Sequence, residues 1–364
     1  MRTCTPSSRP LRGGFQRAGL ARQQDQVEPV LGEQAGELRA HTFGAAGDHG
    51  PRPVSGKVGH PSDAIFGRQT SPDPGGKEAI IGTYAVTGSA SGMGLQVTQR
   101  LQDLGHTVIG VDLKEGQVVA DLSTPQGRRA AADGVLAACG GVLDGAVLAA
   151  GLGPGPGADR NRLIAEVNFL GVVELLEAWR PALAKADRAK VVVISSNSTT
   201  TVPIVPRRTI RALMARDTDK AVRSLRLLGR NGSALMYAAS KIAVSRWLRT
   251  NAVTAAWAGA GIRMNALAPG AILTPLLQAQ LADPREGAAV RKFPVPVGGY
   301  GDAGHLADWM CFMLSDSADF LCGSVIFVDG GSDAFFRPQE WPKAVPLHRL
   351  PRYLWRFTRG VRGA

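Results

Sequence analysis

The stretch IIGTYAVTGSASGMGLQVTQRLQDLGHTVIGVD, Ile80 to Asp112, decides how the chain is read. An apolar run from Ile80 to Val86 stops at a small, Gly-rich loop, Thr87 to Gly94. A helical pattern follows, and a second apolar run from Thr107 to Val111 ends on Asp112. Gly88, Gly92 and Gly94 let the backbone turn sharply and approach a pyrophosphate, which the free N–H groups and positive dipole at the start of the helix would meet. Asp112 stands where a carboxylate binds an adenosine ribose 2′-OH and repels a 2′-phosphate, so the expected cofactor is NAD(H) rather than NADP(H). The spacing is G-x-x-x-G-x-G, not the general G-x-G-x-x-G, so the reading rests on the strand, helix and acid around the glycines.

Upstream of this unit, residues 1–78 are rich in Gly, Pro, Arg, Gln and Ser and show no sustained period of 2 or 3.6. They read as a disordered extension. An alternative is that the assigned start lies too far upstream; the next Met after Met1 is Met93, inside the Gly-rich loop. No apolar stretch resembles a secretory signal, although the first 24 residues carry five Arg and no acid, as a transit peptide would. Cys4, Cys139, Cys311 and Cys322 form no C-x-x-C pair, so neither a zinc site nor a disulfide framework is indicated. No metal is expected, and a reducing cytoplasm is the default location.

The net charge of +12 is unevenly placed. Residues 1–78 carry +2, residues 197–236 carry +6 and residues 337–364 carry +6, which leaves −2 for the rest. The basic excess thus lies in one inserted segment and one tail. No contiguous basic face with stacking aromatics appears, so nucleic acid is not an expected partner.

Downstream, strand and loop signals recur at the intervals of a doubly wound parallel sheet of about seven strands. Candidate strands are Val118 to Ala120, Asp144 to Ala150, Lys190 to Ile194, Ile262 to Leu267 and Ser324 to Val328. Helical patterns span Thr124 to Ala138, Asn161 to Leu183, Tyr237 to Ala258, Thr274 to Leu281 and Gly304 to Leu314. One α/β domain over 79–338 accounts for all of them. Within it, residues 197–236 have the composition of an insertion, with Arg and Lys interleaved with apolar residues at spacings that suit one or two amphipathic helices. A solvated hairpin, a lid and a subunit contact are all open readings.

Tyr237 and Lys241 lie four apart on one helix and share a face. A phenol is a poor base at neutral pH, but a nearby ammonium and an oxidised nicotinamide would stabilise its phenolate. Ser196, at the end of a central strand where ligands of open α/β sheets bind, could hold the substrate oxygen.

TGSASGMG (Thr87 to Gly94), Asp121-Leu122, the AAG of Ala149 to Gly151, Asn168, Ser196, YAASK (Tyr237 to Lys241) and PGAILT (Pro269 to Thr274) resemble, in order, the motifs of a short-chain dehydrogenase/reductase. The resemblance covers Ile80 to Pro338 and implies a Rossmann-type fold. It implies Tyr237 as general acid/base, Lys241 as the residue that lowers its pKa and binds the nicotinamide ribose, Ser196 as the group orienting the substrate, and Asn168 as holder of a relay water. For the cofactor it implies Gly88, Ser91, Gly92, Met93 and Gly94 at the pyrophosphate, Asp112 at the ribose, and Asp121 and Leu122 at the adenine. Ala150 and Gly151 would lie beside the cofactor, and Pro269, Gly270, Ile272 and Thr274 at the carboxamide end. The family usually has Asn-Asn-Ala-Gly where this chain has Leu148-Ala149-Ala150-Gly151, so a strand-tying Asn is missing.

The 41-residue separation of Ser196 and Tyr237 is long for the family. With VIGVDLKEG, ADLSTPQGR, AAGLGP, LADPREGAAVRKF and VDGGSDAFFRP, it resembles the bacterial 3α-hydroxysteroid dehydrogenase/carbonyl reductase branch. That implies an NAD(H)-dependent interconversion of a secondary alcohol and a ketone on a bulky apolar ring, in a homodimer or homotetramer. The coniferyl-alcohol dehydrogenase branch is the rival. A catalytically silent NAD-binding protein is a third reading, opposed by the intact Asn168, Ser196, Tyr237 and Lys241 set.

In the tail, 339–364, Leu347, Leu350, Leu354, Phe357 and Val361 recur at helical spacing, with Arg349, Arg352, Arg356, Arg359 and Arg362 on other faces. Such a basic amphipathic pattern can lie on an anionic membrane. Pro351 limits the helix to about a dozen residues, marginal alone, and a solvated or self-packed tail is the expectation.

Overall fold

Seven short strands form one parallel sheet in the computed structural model, which describes residues 81–340 and 345–359. The strands are β1 (Thr83–Thr87), β2 (Thr107–Asp112), β3 (Val118–Val119), β4 (Gly145–Leu148), β5 (Lys190–Ile194), β6 (Arg263–Pro269) and β7 (Val325–Val328). Their spatial order is β3-β2-β1-β4-β5-β6-β7. β4 and β5 are buried at every residue, which is why their sequences GAVL and KVVVI show no polar alternation. The expectation for residues 1–78 falls outside the described residues.

Parallel strands need crossovers, and helices supply them on both faces. On one face α1 (Gly92–Asp103) packs against α11 (Ala303–Leu314), through Val97, Leu101, Leu306 and Met310 over Val86 and Val192. The other face carries α2 (Pro125–Ala138), α4 (Gly171–Leu183) and α8 (Gly232–Asn251), with Trp179, Leu176 and Val244 over Leu148, Val191 and Val193. Along β5, Val191 and Val193 serve one core while Val192 and Ile194 serve the other, as the alternation of a strand requires.

β1 and β4 are neighbours although the chain runs out to β3 between them, so their carboxyl ends border a topological switch point. The seam carries a bond that does not involve the strand-tying Asn the sequence lacks. The Thr87 hydroxyl at the end of β1 accepts the Ala150 backbone N–H at 3.1 Å, just beyond β4.

Several boundaries differ from the sequence reading. The expected helix from Asn161 to Leu183 is three pieces: α3 (Arg160–Ala165), a π-turn (Glu166–Leu170) and α4. α8 starts at Gly232, five residues before Tyr237, and ends at Asn251, not at Ala258. Past its end the Thr254 hydroxyl bonds the Asn251 carbonyl, and the chain folds back so that buried Trp257 meets Trp247 edge to face at 5.9 Å. β3 and β4 are shorter than expected. α9 (Pro275–Ala282), begun by the Thr274 cap, is followed by α10 (Pro284–Lys292).

The insertion forms α5 (Ser198–Thr201), α6 (Arg207–Met214) and α7 (Thr218–Arg223). Ile210, Leu213, Ala221 and Leu225 are buried and join the main core, so it is not a solvated hairpin. After a short α12 (Ser332–Phe336), the tail forms α13 (Leu350–Arg359), a ten-residue helix with Pro351 in its first turn, where a missing N–H costs nothing. Every residue over 345–356 is exposed.

Candidate active site

The carboxyl ends of the central strands enclose two adjoining cavities that share Met93, Ala149, Gly151, Thr274 and Leu276 in their walls. The larger, about 450 Å³, runs past Gly88, Ser91, Gly92, Gly94, Asp112, Asp121, Leu122 and Ala150. The smaller, about 150 Å³, is walled by Ser196, Tyr237, Lys241, Pro269, Gly270 and Ile272. All the residues singled out from sequence border one or the other except Asn168, which lies directly behind the wall.

The larger cavity is built mostly by backbone. Gly88 has φ +70°, and a Cβ there would stand 2.9 Å from the Ala150 nitrogen; a Cβ on Gly94 would stand 2.1 Å from the Gly88 carbonyl oxygen. Helix and loop therefore approach more closely than any side chain allows. The first turn of α1 has no side-chain cap and no acid, which leaves its amides for an anion. At the far end, one Asp112 oxygen accepts the Ala90 N–H at 3.1 Å and the other the Lys114 N–H at 3.2 Å, so the carboxylate is fixed at the cavity wall. A glycine cradle, an open helix terminus and a fixed acid at the end of β2 fit a dinucleotide.

The smaller cavity is built largely by side chains. β5 ends in Ile194, followed by buried Ser195 and Ser196, and α8 presents Tyr237 and Lys241 to it. Lys241 Nζ donates to the Ile194 carbonyl at 2.7 Å and sits 5.9 Å from the centre of the Tyr237 ring. Burial lowers the Lys241 pKa to about 8. Burial raises that of Tyr237, and a hydrogen bond with the Ser196 hydroxyl pulls it back in part. Without a further positive charge Tyr237 therefore holds its proton at neutral pH.

Asn168 is fully buried at the centre of the π-turn. Its Oδ1 accepts the Leu152 N–H at 2.8 Å and its Nδ2 donates to the Leu152 carbonyl at 2.9 Å. Nδ2 also reaches Ser240 Oγ at 3.4 Å, and that hydroxyl donates to the Tyr237 carbonyl at 2.7 Å. The side chain is thus committed to the loop after β4 and to α8, so a relay water would fall to the backbone of the π-turn rather than to the Asn168 amide. A Cβ on Gly151 would lie 3.4 Å from Asn168 Oδ1 and 3.7 Å from Lys241 Nζ, which brings loop, π-turn and α8 to one point.

Sequence reasoning missed four groups. Arg160 lines the larger cavity and grips the Gly153 carbonyl through Nε at 3.0 Å and Nη2 at 2.6 Å. Leu276, on α9, belongs to both cavities. Asn197 Nδ2 and Ser198 Oγ are buried beside Ser196 with no protein partner. Arg128, buried, donates to the Leu122 carbonyl at 3.1 Å and to Glu166 Oε2 at 2.8 Å through Nη1, and to Glu174 Oε2 at 2.6 Å through Nε. It thereby joins the adenine end, where Leu122 lies, to the first residue of the π-turn that holds Asn168. Among the described residues none of 197–236 borders either cavity, so these residues form no lid over them in this conformation.

This fold and site define a class, and the chain belongs to the short-chain dehydrogenase/reductase family. A family model described as Enoyl-(Acyl carrier protein) reductase matches residues 221–333. The chain is 40% identical over 256 residues to the 3-alpha-hydroxysteroid dehydrogenase/carbonyl reductase of Comamonas testosteroni, covering 70% of this chain and 98% of that one. It is 32% identical to the cis-4-hydroxycyclohexanecarboxylate dehydrogenase of Sinomonas cyclohexanicum, covering 68% of this chain and 95% of the other. Among solved structures, the 3-alpha-hydroxysteroid dehydrogenase of Pseudomonas sp. B-0831 complexed with NADH matches with a TM-score of 0.66 and 41% identity, over 71% of this chain and 100% of that chain. The chain is an oxidoreductase that uses a nicotinamide cofactor to interconvert an alcohol and a ketone.

Proposed function

We propose that this oxidoreductase prefers NAD(H) and acts on a secondary hydroxyl or ketone carried by an uncharged apolar ring, as in a 3α-hydroxysteroid. The observation that carries the substrate reading is the wall of the smaller cavity. Beyond the reacting groups its wall includes the apolar side chains of Met93, Ala149, Ile194, Ile272, Leu276 and Leu277 and the uncharged polar ones of Ser195, Thr274 and Gln280, and among the described residues Lys241 is its one charged side chain. A ring bearing a carboxylate would find no second cation there, which favours a neutral ring over the hydroxycyclohexanecarboxylate that the Sinomonas relative is named for.

In this reading the cofactor lies along the glycine cradle between Asp121, Leu122 and Thr274, and when bound it supplies or takes up the hydride. The remaining work belongs to the chain. Ser196 orients the substrate oxygen toward Tyr237. In ketone reduction the phenol gives its proton to the carbonyl oxygen; in alcohol oxidation the phenolate takes the hydroxyl proton. Lys241 steadies the phenolate by its charge, and Asn168 holds the loop after β4 and α8 in register. The preference for NAD(H) rests on Asp112, whose fixed carboxylate meets a 2′-hydroxyl and repels a 2′-phosphate.

The test is NADH formation by purified protein against 3α-hydroxysteroids, coniferyl alcohol and cis-4-hydroxycyclohexanecarboxylate, each with NAD and NADP. The reading expects turnover of the steroid class with NAD at least tenfold better than NADP. Turnover confined to coniferyl alcohol or to the carboxylate overturns the substrate class, and a preference for NADP overturns the role of Asp112.

A further inference from the structure

The tail is unlike the rest of the molecule in charge and in packing. Residues 341–364 hold six Lys or Arg and no Asp or Glu. Within α13, Leu350, Tyr353 and Leu354 are 39%, 50% and 53% exposed, and Leu347 just before it is 86% exposed. At about 100° per residue these four fall on one side of the helix axis, while Arg349, Arg352 and Arg356 fall on the other. A ten-residue helix is marginal in water unless its apolar side is covered.

We propose that α13 lies on an anionic lipid surface, with Leu347, Leu350, Tyr353 and Leu354 entering the headgroup boundary and the arginines drawn to the lipid phosphates. Charge decides among the occupants. A second copy of the tail would bring another six cations and no acid against the first, whereas an anionic bilayer offers both apolar depth and complementary charge. Among the described residues no helix is long and apolar enough to cross a membrane, so the contact is one of lying on the surface. The proposal does not depend on the substrate reading above.

Flotation of the full chain with vesicles tests it. The probes are phosphatidylcholine alone and phosphatidylcholine with about 30 mol% phosphatidylglycerol, in low salt and in about 0.5 M salt. The expected result is roughly tenfold more protein recovered with the anionic vesicles, a gain removed by salt. Leu350→Asp with Leu354→Asp, and separately Arg352→Glu with Arg356→Glu, should abolish recovery while circular dichroism and turnover stay native. Equal recovery on both vesicles, no recovery, or full recovery of either double variant overturns the proposal; the last would move binding to another surface, such as the basic insertion. If instead the chain fails to float and Leu350→Asp with Leu354→Asp lowers its mass in light scattering, a second copy covers the face and the lipid assignment is wrong.

Discussion

The two cavities meet yet are made differently. The larger is cut from backbone, with glycines at Gly88 and Gly94 and the uncapped start of α1, and it needs few particular side chains. The smaller depends on buried polar side chains from the end of β5, from α8 and from the π-turn, anchored by bonds to backbone. Binding in the first should therefore be sensitive to added atoms, and chemistry in the second to removed ones.

The sharpest separation of the two is Tyr237→Phe. It deletes one oxygen from the small cavity, and turnover should fall at least a thousandfold, about 4 kcal/mol, with the NADH dissociation constant within twofold of native. A variant that lost NADH binding equally would show that the cavities are not separable. The reverse probe is Gly94→Ala, whose Cβ would press on the Gly88 carbonyl at 2.1 Å. It should cost about 2 to 3 kcal/mol in thermal unfolding and weaken NADH binding at least tenfold in calorimetry.

Arg128→Met attacks the connection between the cavities. Removing the guanidinium leaves Glu166, 13% exposed, without its partner, while Glu174 at 35% is wet enough to recover. A loss of about 2 to 3 kcal/mol of stability is expected, with a higher KM for NAD and a lower kcat together. A change in only one of the two constants would show that Leu122 and the π-turn are not linked through Arg128.

The smallest expected effect is on stability in Lys241→Met. Turnover should collapse, yet at pH 7 unfolding free energy should stay within about 1 kcal/mol of native, because relief from burying a charge offsets the lost bond to Ile194. The pH dependence carries the signature. Native Lys241 releases its proton near pH 8, whereas the unfolded chain keeps it to about 10.5, so the unfolded state binds more protons between these values. This group therefore adds stability as pH rises from 8 to 10.5, and denaturation of the variant should lack that gain.

The parts of the site legible in sequence were those whose chemistry sits in a local pattern. The glycine loop, Asp112 and the Tyr237–Lys241 pair each announce themselves within one or two elements. Arg128 could not be read that way, because its partners lie 38 and 46 residues away, in the π-turn and on α4, and nothing near Arg128 marks it as buried. The π-turn escaped for a related reason. Asn168 fits a helical period, and only its bonds to Leu152 across the crevice show why the helix widens there. The start of α8 was misplaced because Gly232 and Ser233 have loop-like composition, although Gly232 is buried and Ser233 accepts the Gly155 N–H at 3.4 Å. In the tail, the two faces of α13 were legible in sequence but its exposure was not, because exposure depends on the surface of the body beside it.

The bond from Thr87 to Ala150 bears on how such chains are recognised across evolutionary distance. A comparison by letters at 148–150 scores Leu148-Ala149-Ala150 as a lapse from the family consensus. A comparison by bonds scores the same place as intact, because the seam is stitched from the opposite strand by a hydroxyl. Divergence at one bank of a crevice thus leaves intact a tie that is made from the other bank, here by Thr87.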